Sequence, residues 1–346
     1  MSRERETGTA GVECTIVIPC RNEAGSIREF CDSLLAQERT GEAWEIIFAD
    51  GQSDDGTAEI LAGYAADHPE ITVMANPERI VPTGLNRAVR AAAGEFIVRM
   101  DVHTVYAPDY VKQCLAVSRE TGAMNVGGAA RTRATGRRAR AIAAAYGSPF
   151  AVGGARFHFP SYEGPVDTVT YGCWRRDDLL EVGLFDESLV RNQDDELNLR
   201  IRKAGGVVWQ DPRIRSWYTP RADLGKLFRQ YYQYGFWKVA VIRKHRLPAS
   251  WRHLVPAALV ASLVVLGVAS VFWAPARWLL AAEAALYAAF LAAGSLHTAS
   301  RRGWDLLPLL PAVIACFHVS YGSGFLAALI AGPKGRFGLD ATRLTR

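Results

Sequence analysis

Cys14-Thr-Ile-Val-Ile-Pro19 and its echo Trp44-Glu-Ile-Ile-Phe-Ala49 decide the fold. Each is a short apolar, β-branched run stopped by turn-forming residues: Pro19 in the first case, Asp50-Gly51 in the second. Such runs read as buried strands. Ile71 to Met74 and Glu95-Phe-Ile-Val-Arg-Met100 repeat the pattern. Helical spacing fills the intervals. Residues from Ala24 to Gln37 place Ile27, Phe30, Leu34 and Leu35 on one face, Thr57 to Ala66 follows, and Thr83 to Ala93 is closed by Gly94. Strands alternating with helices predict an α/β fold with a mainly parallel sheet and helices on both faces. Sheets of this kind bind ligands beyond the carboxyl ends of their strands. Three polar clusters stand at those ends: Arg21-Asn22-Glu23, Asp50-Gly51-Gln52-Ser53-Asp54-Asp55-Gly56, and Asp101-Val102-His103.

Composition narrows the class. The chain has 346 residues, 49% hydrophobic and 22% charged, which suits one large domain with an appendage. A net charge of +5 is too small to argue for nucleic acid as a partner. None of the six cysteines forms a C-x-x-C pair, so neither a zinc site nor a disulfide framework is expected, and a reducing compartment is. Met1 to Gly11 is polar, with no apolar signal-peptide core, so the first domain is expected in the cytoplasm. Abundant Ala and an excess of Arg over Lys suggest a GC-rich bacterial genome.

The second half changes character. From Asn125 to Pro220 the pattern is irregular, apart from a helical piece from Asp194 to Ala204. Residues 221–253 interleave Phe228, Tyr231, Tyr232, Tyr234, Phe236 and Trp237 with Arg229, Lys238, Arg243 and Lys244, as a helix at a membrane interface does. Packing or membrane contact fits these aromatics better than a sugar platform. Three apolar runs follow: Leu254 to Trp273, Trp278 to Leu296 with the single acid Glu283, and Leu306 to Ala331, interrupted by Pro308, Pro311 and Gly322-Ser-Gly324. Each is about long enough to span hydrocarbon. Their clustering beside basic flanks favours membrane spans over core helices of a soluble protein. Arg301 and Arg302 are then expected on the cytoplasmic side. Three full spans would put the basic tail (Lys334, Arg336, Arg343, Arg346) outside, and a bent or re-entrant third segment would resolve this. The expected layout is a nucleotide-binding domain at 1–220, an interfacial segment at 221–253, a transmembrane region at 254–332 and a basic tail at 333–346. Arg131, Arg133, Arg137, Arg138 and Arg140 read as a solvated or membrane-facing basic face.

Acids recur through the chain: Glu23, Asp50, Asp101, then Asp194-Asp195-Glu196. Chemistry on a nucleotide-sugar needs acceptors for ribose hydroxyls and base N–H groups, a ligand for a cation that neutralises diphosphate, and a base for the acceptor hydroxyl. Asp101-x-His103 after a strand puts two potential ligands on the same side of an extended chain. Carboxylate plus imidazole suits Mn²⁺ better than Ca²⁺. Bland alternatives exist for each residue. Asp50 before Gly51 can simply cap a turn. Glu23 can answer a helix dipole. His103 can be a satisfied loop residue, and Asp194 and Glu196 can be the acidic first turn of a helix.

Order and spacing favour the functional reading. Thr15-Ile-Val-Ile-Pro-Cys-Arg-Asn-Glu23, Ile46-Ile-Phe-Ala-Asp-Gly-Gln-Ser-Asp-Asp-Gly-Thr57, Gly84-Leu-Asn-Arg-Ala88 and Gly94-Glu-Phe-Ile-Val-Arg-Met-Asp-Val-His103 resemble the opening of family 2 glycosyltransferases. Val166-Asp-Thr-Val169, Phe185-Asp-Glu187, Arg191-Asn-Gln-Asp-Asp-Glu-Leu-Asn198, Gln233-Tyr-Gly-Phe-Trp-Lys238 and His318-Val-Ser-Tyr-Gly-Ser-Gly-Phe325 are similar to the succinoglycan-biosynthesis branch. The resemblance implies a GT-A type, Rossmann-like nucleotide-sugar-binding domain with a C-terminal α-helical transmembrane region. It implies substrate binding by Pro19, Arg21, Glu23, Asp50, Ser53, Asn86, Asp101 and Asp195, with Glu23 and Asp50 on the uridine. It further implies a divalent cation, Mn²⁺ or Mg²⁺, at Asp101 and His103, and Asp194 as catalytic base, with Asp195 the second candidate. The family's D-x-D reads Asp101-x-His103 here, which changes the preferred ion. The Q-x-x-R-W motif of processive synthases survives only as Gln230-Tyr-Tyr-Gln-Tyr234, which favours addition of one sugar.

The expected activity is inverting transfer of a single hexose, glucose from UDP-glucose, to an undecaprenyl-diphosphate-linked saccharide during exopolysaccharide assembly at a bacterial inner membrane. Two rivals are transfer to a polyprenyl phosphate and a non-catalytic nucleotide-sugar-binding scaffold, the latter disfavoured by the intact acidic pair. A nucleotidyltransferase would want a Gly-rich basic phosphate loop, which Pro19-Cys-Arg-Asn-Glu-Ala-Gly25 does not provide.

Overall fold

The computed structural model describes residues 11–39, 43–220, 223–246 and 250–331. The first ten residues and the basic tail with Lys334, Arg336, Arg343 and Arg346 lie outside the described residues. In chain order the strands are β1 (Cys14–Cys20), β2 (Trp44–Asp50), β3 (Ile71–Ala75), β4 (Phe96–Arg99), β5 (Thr104–Tyr106), β6 (Asn125–Gly128), β7 (Arg131–Thr132), β8 (Gly164–Pro165), β9 (Thr170–Arg175), β10 (Val208–Gln210) and β11 (Ser216–Tyr218). The helices are α1 (Ile27–Leu35), α2 (Thr57–Asp67), α3 (Val81–Ala91), α4 (Tyr110–Thr121), α5 (Arg137–Tyr146), α6 (Pro149–Val152), α7 (Arg176–Glu181), α8 (Gln193–Lys203), α9 (Leu224–His245), α10 (Val255–Phe272), α11 (Ala274–Arg302) and α12 (Leu310–Ala331). They divide into two compact units. The first takes residues up to Ala129, Ser161–Glu187 and Leu197–Ser216; the second takes Ala130–Pro160, Ser188–Glu196 and the chain from Trp217 onward.

The first unit is built on an eight-stranded sheet in the order β3-β2-β1-β4-β9-β6-β10-β8. The strands read from apolar runs, β1 to β4, are parallel neighbours in register, with Cys20 beside Asp50 and Val17 beside Arg99. The expectation of a mainly parallel sheet holds, since β6 and β10 also pair parallel on the far side. β9 runs antiparallel to both β4 and β6, and β8 antiparallel to β10, so the sheet is mixed. β9 is not the end of a βαβ crossover, which is what enforces parallel pairing elsewhere. The period of 2 sorts side chains to two cores. Cys14, Ile16 and Ile18 pack with α1, α2 and α4 on one face, while Val17, Ile47 and Ile97 pack with α3, α7 and Leu197 and Ile201 of α8 on the other. Phe48 and Phe96 are wholly buried, each contributing about 1.5–3 kcal/mol of transfer free energy. A buried polar chain fixes α8 to this sheet: Asn125 donates to Asn198 at 2.7 Å, and Asn198 donates to Thr168 at 2.9 Å.

The second unit is helical, with a short parallel pairing of β7 and β11. Among the described residues three helices are long and apolar enough to cross a membrane: Trp251–Phe272, Ala274–Arg302 and Leu310–Ala331. Val264, Val265, Val268 and Phe272 on the first are 59–86% exposed, an apolar surface suited to lipid. The third run is one continuous helix. Pro308 precedes it and Pro311 falls in its first turn, where a missing N–H costs nothing. Its glycines mark close helix packing instead: a Cβ on Gly324 would stand 2.0 Å from the Tyr232 carbonyl oxygen of α9. The α9 aromatics contribute to that packing, with Tyr231 and Phe317 ring centroids 4.3 Å apart. Part of the arginine-rich face is also occupied, since Arg137 and Arg140 donate to Asp305 beyond the end of α11.

In the first unit, Gly94 leaves no room for a side chain: a Cβ there would lie 2.4 Å from the Thr15 backbone nitrogen. Gly94→Ala is expected to lower stability by about 1–3 kcal/mol through overpacking. Thermal unfolding of the detergent-solubilised protein checks this, and an unchanged midpoint contradicts the close approach.

Candidate active site

The carboxyl ends of β1, β2 and β4 lie side by side because β1 sits between the other two. The chain laces them together. Asp50, the last residue of β2, is buried; its carboxylate accepts from the Ser53 hydroxyl at 2.5 Å and the Ser53 N–H at 3.1 Å. The Ser53 Oγ in turn accepts from the Asn22 N–H at 2.8 Å, and the Asn22 side chain accepts from the Asp54 N–H at 3.0 Å. Asn22 and Gln52 both carry positive φ, 56° and 54°. That conformation is costly for non-glycine residues and persists where surrounding contacts impose it. Gly51 lets the Arg21 side chain lie against its backbone, where a Cβ would meet the Arg21 Cβ at 3.1 Å. Pro19 pairs with Ala49 one residue before these turns.

The β4 end is tied to the same shelf. His103 Nε2 stands 2.8 Å from a Glu23 carboxylate oxygen, joining the loops after β1 and β4. Asp101 is one-third exposed and receives the Arg99 guanidinium on both oxygens, at 3.0 and 3.1 Å. The Asp101 N–H donates to the Tyr106 hydroxyl at 2.7 Å. Burial first, then the neighbouring Tyr171 and Asp101, push the Tyr106 phenol well above its ordinary value, so it stays protonated. The Arg99 guanidinium lies over the Tyr171 ring, 5.8 Å from its centroid, and Tyr171 itself has a φ of 64°. Thus Pro19, Arg21, Glu23, Asp50, Ser53, Asp101 and His103 converge at one edge of the sheet. Asn86 does not join them by hydrogen bonding: its amide donates to the Phe185 carbonyl and to Glu187, each at 2.8 Å, and accepts from the Phe185 N–H.

The donor set suits a divalent cation in part. Among the described residues no group of three His, Cys, Asp or Glu side chains forms a metal cage. Partly exposed Asp101 and more exposed His103 offer one oxygen and one nitrogen. An ion that takes one or two protein ligands and completes its shell with phosphate oxygens and water fits such a pair.

The acids of α8's first turn belong to the second unit and have their own supports. Lys238, 5% exposed on α9, donates to Asp195 at 2.6 Å. Glu196 is fully buried between Lys244 at 2.7 Å and His245 at 2.9 Å. Asn192, with φ 61°, donates to the Tyr234 carbonyl at 2.9 Å. Burial works to raise the Asp195 carboxyl, and the Lys238 ammonium overrides it, holding the group below the ordinary carboxylate value. Tyr106, Tyr171 and Lys238 escaped the sequence reading. Lys238 was hidden in a run whose alternation of rings and cations speaks of membrane surface, although its place three residues after Gly235 marks a helix face built for close packing.

The mixed α/β sheet of the first unit has a GT-A type fold. Solved structures share it: the mannosyltransferase PcManGT from Pyrobaculum calidifontis, in complex with GDP-Man and Mn²⁺, superposes with a TM-score of 0.61 at 20% identity, covering 92% of this chain and 88% of that one. Residues 1–349 of S. aureus TarS superpose with a TM-score of 0.52 at 15% identity, covering 92% of each chain. Residues 15–179 match the family model of glycosyl transferase family 2. It is 29% identical over 332 residues to the succinoglycan biosynthesis protein ExoA of Rhizobium meliloti, covering 95% of this chain and 98% of that protein. It is 24% identical over 333 residues to a dolichyl N-acetyl-α-D-glucosaminyl phosphate 3-β-D-2,3-diacetamido-2,3-dideoxy-β-D-glucuronosyltransferase of Methanococcus voltae, covering 92% and 97%. The chain is a glycosyltransferase.

The Lys238–Asp195 pair sets a pH test. A carboxyl held below its unfolded value stabilises the fold above the ordinary carboxylate range, and that stability is lost as pH falls through the folded value. Lys238→Met leaves a partly buried carboxylate without its cation and is expected to cost about 1–3 kcal/mol at pH 7. The difference in melting temperature between wild type and variant should shrink on acidification to about pH 4, where the variant's Asp195 protonates. A gap that is constant from pH 7 to 4 contradicts the pairing.

Proposed function

We propose that this chain transfers one hexose, glucose from UDP-glucose, to a lipid-linked saccharide, with inversion at the anomeric carbon, during assembly of an exopolysaccharide. The observation that carries the reading is the Asp50–Ser53–Asn22 lacing of adjacent strand ends, a buried carboxylate presented where a nucleotide base and ribose are bound in such sheets. The Rhizobium relative is named for succinoglycan biosynthesis, and the name of the Methanococcus relative carries a dolichyl-linked sugar phosphate. Three apolar helices suit an enzyme whose acceptor is anchored in the membrane. The site is placed on the cytoplasmic side of a bacterial inner membrane, where the soluble donor is made.

Glu23 and Asp50 accept hydrogen bonds from the uridine, and Ser53 fixes the Asp50 carboxylate for that contact. Arg21, Asn86, Asp101 and Asp195 complete the substrate shell, Asn86 by holding the Phe185–Glu187 turn. Asp101 and His103 would hold Mn²⁺ or Mg²⁺, which neutralises charge building on the departing diphosphate. Asp194 takes the proton from the acceptor hydroxyl, the oxygen attacks the anomeric carbon from the face opposite the nucleotide, and the bond to the β-phosphate breaks with its electron pair leaving on UDP. One displacement turns an α-linked donor into a β-linkage. Asp195 is the poorer base because the Lys238 ammonium stabilises its charged form.

Membranes containing the protein are incubated with labelled UDP-sugars, with and without Mn²⁺, and the lipid fraction is extracted. Label from UDP-glucose should enter lipid only with the metal; label from no UDP-sugar contradicts the donor class. Asp194→Asn should lower transfer by ~10²–10⁴-fold, the worth of a general base, while UDP affinity changes less than about threefold. Retained turnover contradicts the assignment.

A further inference from the structure

An imidazole on a loop has little packing to fix its rotamer, and the His103 side chain is 59% exposed. One contact holds it nonetheless. Its Nε2 stands 2.8 Å from Glu23 Oε2, and that carboxylate side chain is only 11% exposed. Glu23 is itself anchored along its backbone. Its N–H donates to the Thr57 hydroxyl at 2.7 Å, and its carbonyl accepts from the Ser26 and Ile27 N–H groups, each at 2.8 Å. The next N–H, of Ala24, donates to Asp55 at 3.0 Å, and Asp55 also accepts from the Thr57 hydroxyl at 2.5 Å. The contact therefore runs from a fixed turn after β1 to a surface residue after β4.

An ionised carboxylate only accepts hydrogen bonds, so the imidazole nitrogen facing it carries a proton. Nε2 then has no lone pair for a cation, and Nδ1 is the nitrogen left to ligate. Which nitrogen of a metal-binding histidine ligates is set by the hydrogen bond that the other one makes. A carboxylate in that role fixes the ring's orientation and raises its basicity as a ligand. Asp101 increases the need for such support. Both its oxygens receive the Arg99 guanidinium, which takes two of a carboxylate's roughly four lone-pair positions. A cation at this edge of the sheet depends correspondingly more on His103.

We infer that Glu23 is a positioning residue of the cation site: through Oε2 it holds His103 in the tautomer and rotamer that leave Nδ1 for the ion. The inference rests on the cation proposed above at Asp101 and His103. Glu23 then serves donor recognition twice, at the uridine and at the ion, from a turn that the Thr57 and Asp55 contacts keep in place. Removing the acceptor at position 23 releases His103, whereas an amide there still accepts from the Nε2–H group.

Mn²⁺ is titrated into the detergent-solubilised full chain, with UDP saturating for each variant, and bound ion is read by electron paramagnetic resonance. Glu23→Ala should weaken Mn²⁺ binding by about 10–100-fold, the cost of losing the partner that orients a ligand. Glu23→Gln, which keeps an acceptor for Nε2–H, should stay within about threefold of wild type. In a His103→Ala background, Glu23→Ala should change Mn²⁺ affinity by less than about twofold, because the two residues act as one unit. A general loosening of the loop would instead weaken binding in both backgrounds. Equal losses in Glu23→Ala and Glu23→Gln overturn positioning by a hydrogen bond, and additive losses with His103→Ala overturn action through His103. The same titration keeps the two readings apart. Mn²⁺ binding that depends on His103 and is unmoved by Glu23→Ala sinks the positioning role alone, whereas binding that His103→Ala leaves unchanged sinks the cation assignment itself.

Discussion

A buried carboxylate at the end of an interior strand has to be held, and the backbone at the ends of β1 and β2 is shaped around holding Asp50. Its two oxygens are engaged by Ser53, and Ser53 is itself fixed by the Asn22 N–H from the neighbouring strand end. Left-handed backbone at Asn22 and Gln52 is the conformational cost of bringing those loops so close. Parallel pairing of β1 with β2 and β4 makes the arrangement possible, since only parallel neighbours present their carboxyl ends together. The Glu23–His103 contact extends the lacing to the third strand end.

In the second unit the governing constraint is different. Acids in the first turn of α8 would be costly in partly buried surroundings without cations, and α9 supplies Lys238, Lys244 and His245. The same α9 packs on α12 through glycines, so a helix read as membrane-surface material also carries the charges that keep Asp195 ionised. The ion pairs that hold the acidic turn and the packing against an apolar helix are thereby built on one element.

Much of this was legible in the sequence, and the exceptions have physical causes. β1, β2 and β4 announced themselves because strands buried on both faces are continuous apolar runs. β6 did not, because its sequence is Asn-Val-Gly-Gly: a Cβ on Gly128 would stand 2.1 Å from the Ile214 carbonyl oxygen, so packing removed the side chains that would have signalled a strand. β9 carries Tyr171 and Gly172 at positive φ and runs antiparallel, neither of which periodicity reports. The strand-end acids were visible as acids after apolar runs. Their partners were not, because Ser53 holding Asp50 and Lys238 holding Asp195 depend on loop and helix contacts that spacing does not encode. Asn86, similarly, was visible in a motif, while its bonds to Phe185 and Glu187 span about a hundred residues of chain.

Calorimetric titration of UDP into the purified protein, wild type against Asp50→Asn, is the most direct test of the strand-end shelf as a nucleotide site. The substitution keeps the shape and one acceptor oxygen for Ser53 but removes the charge. Affinity should fall by at least about tenfold, in keeping with the loss of a charge-assisted hydrogen bond, with the melting temperature nearly unchanged. Equal affinity in the two proteins would contradict the assignment of Asp50 to the nucleotide.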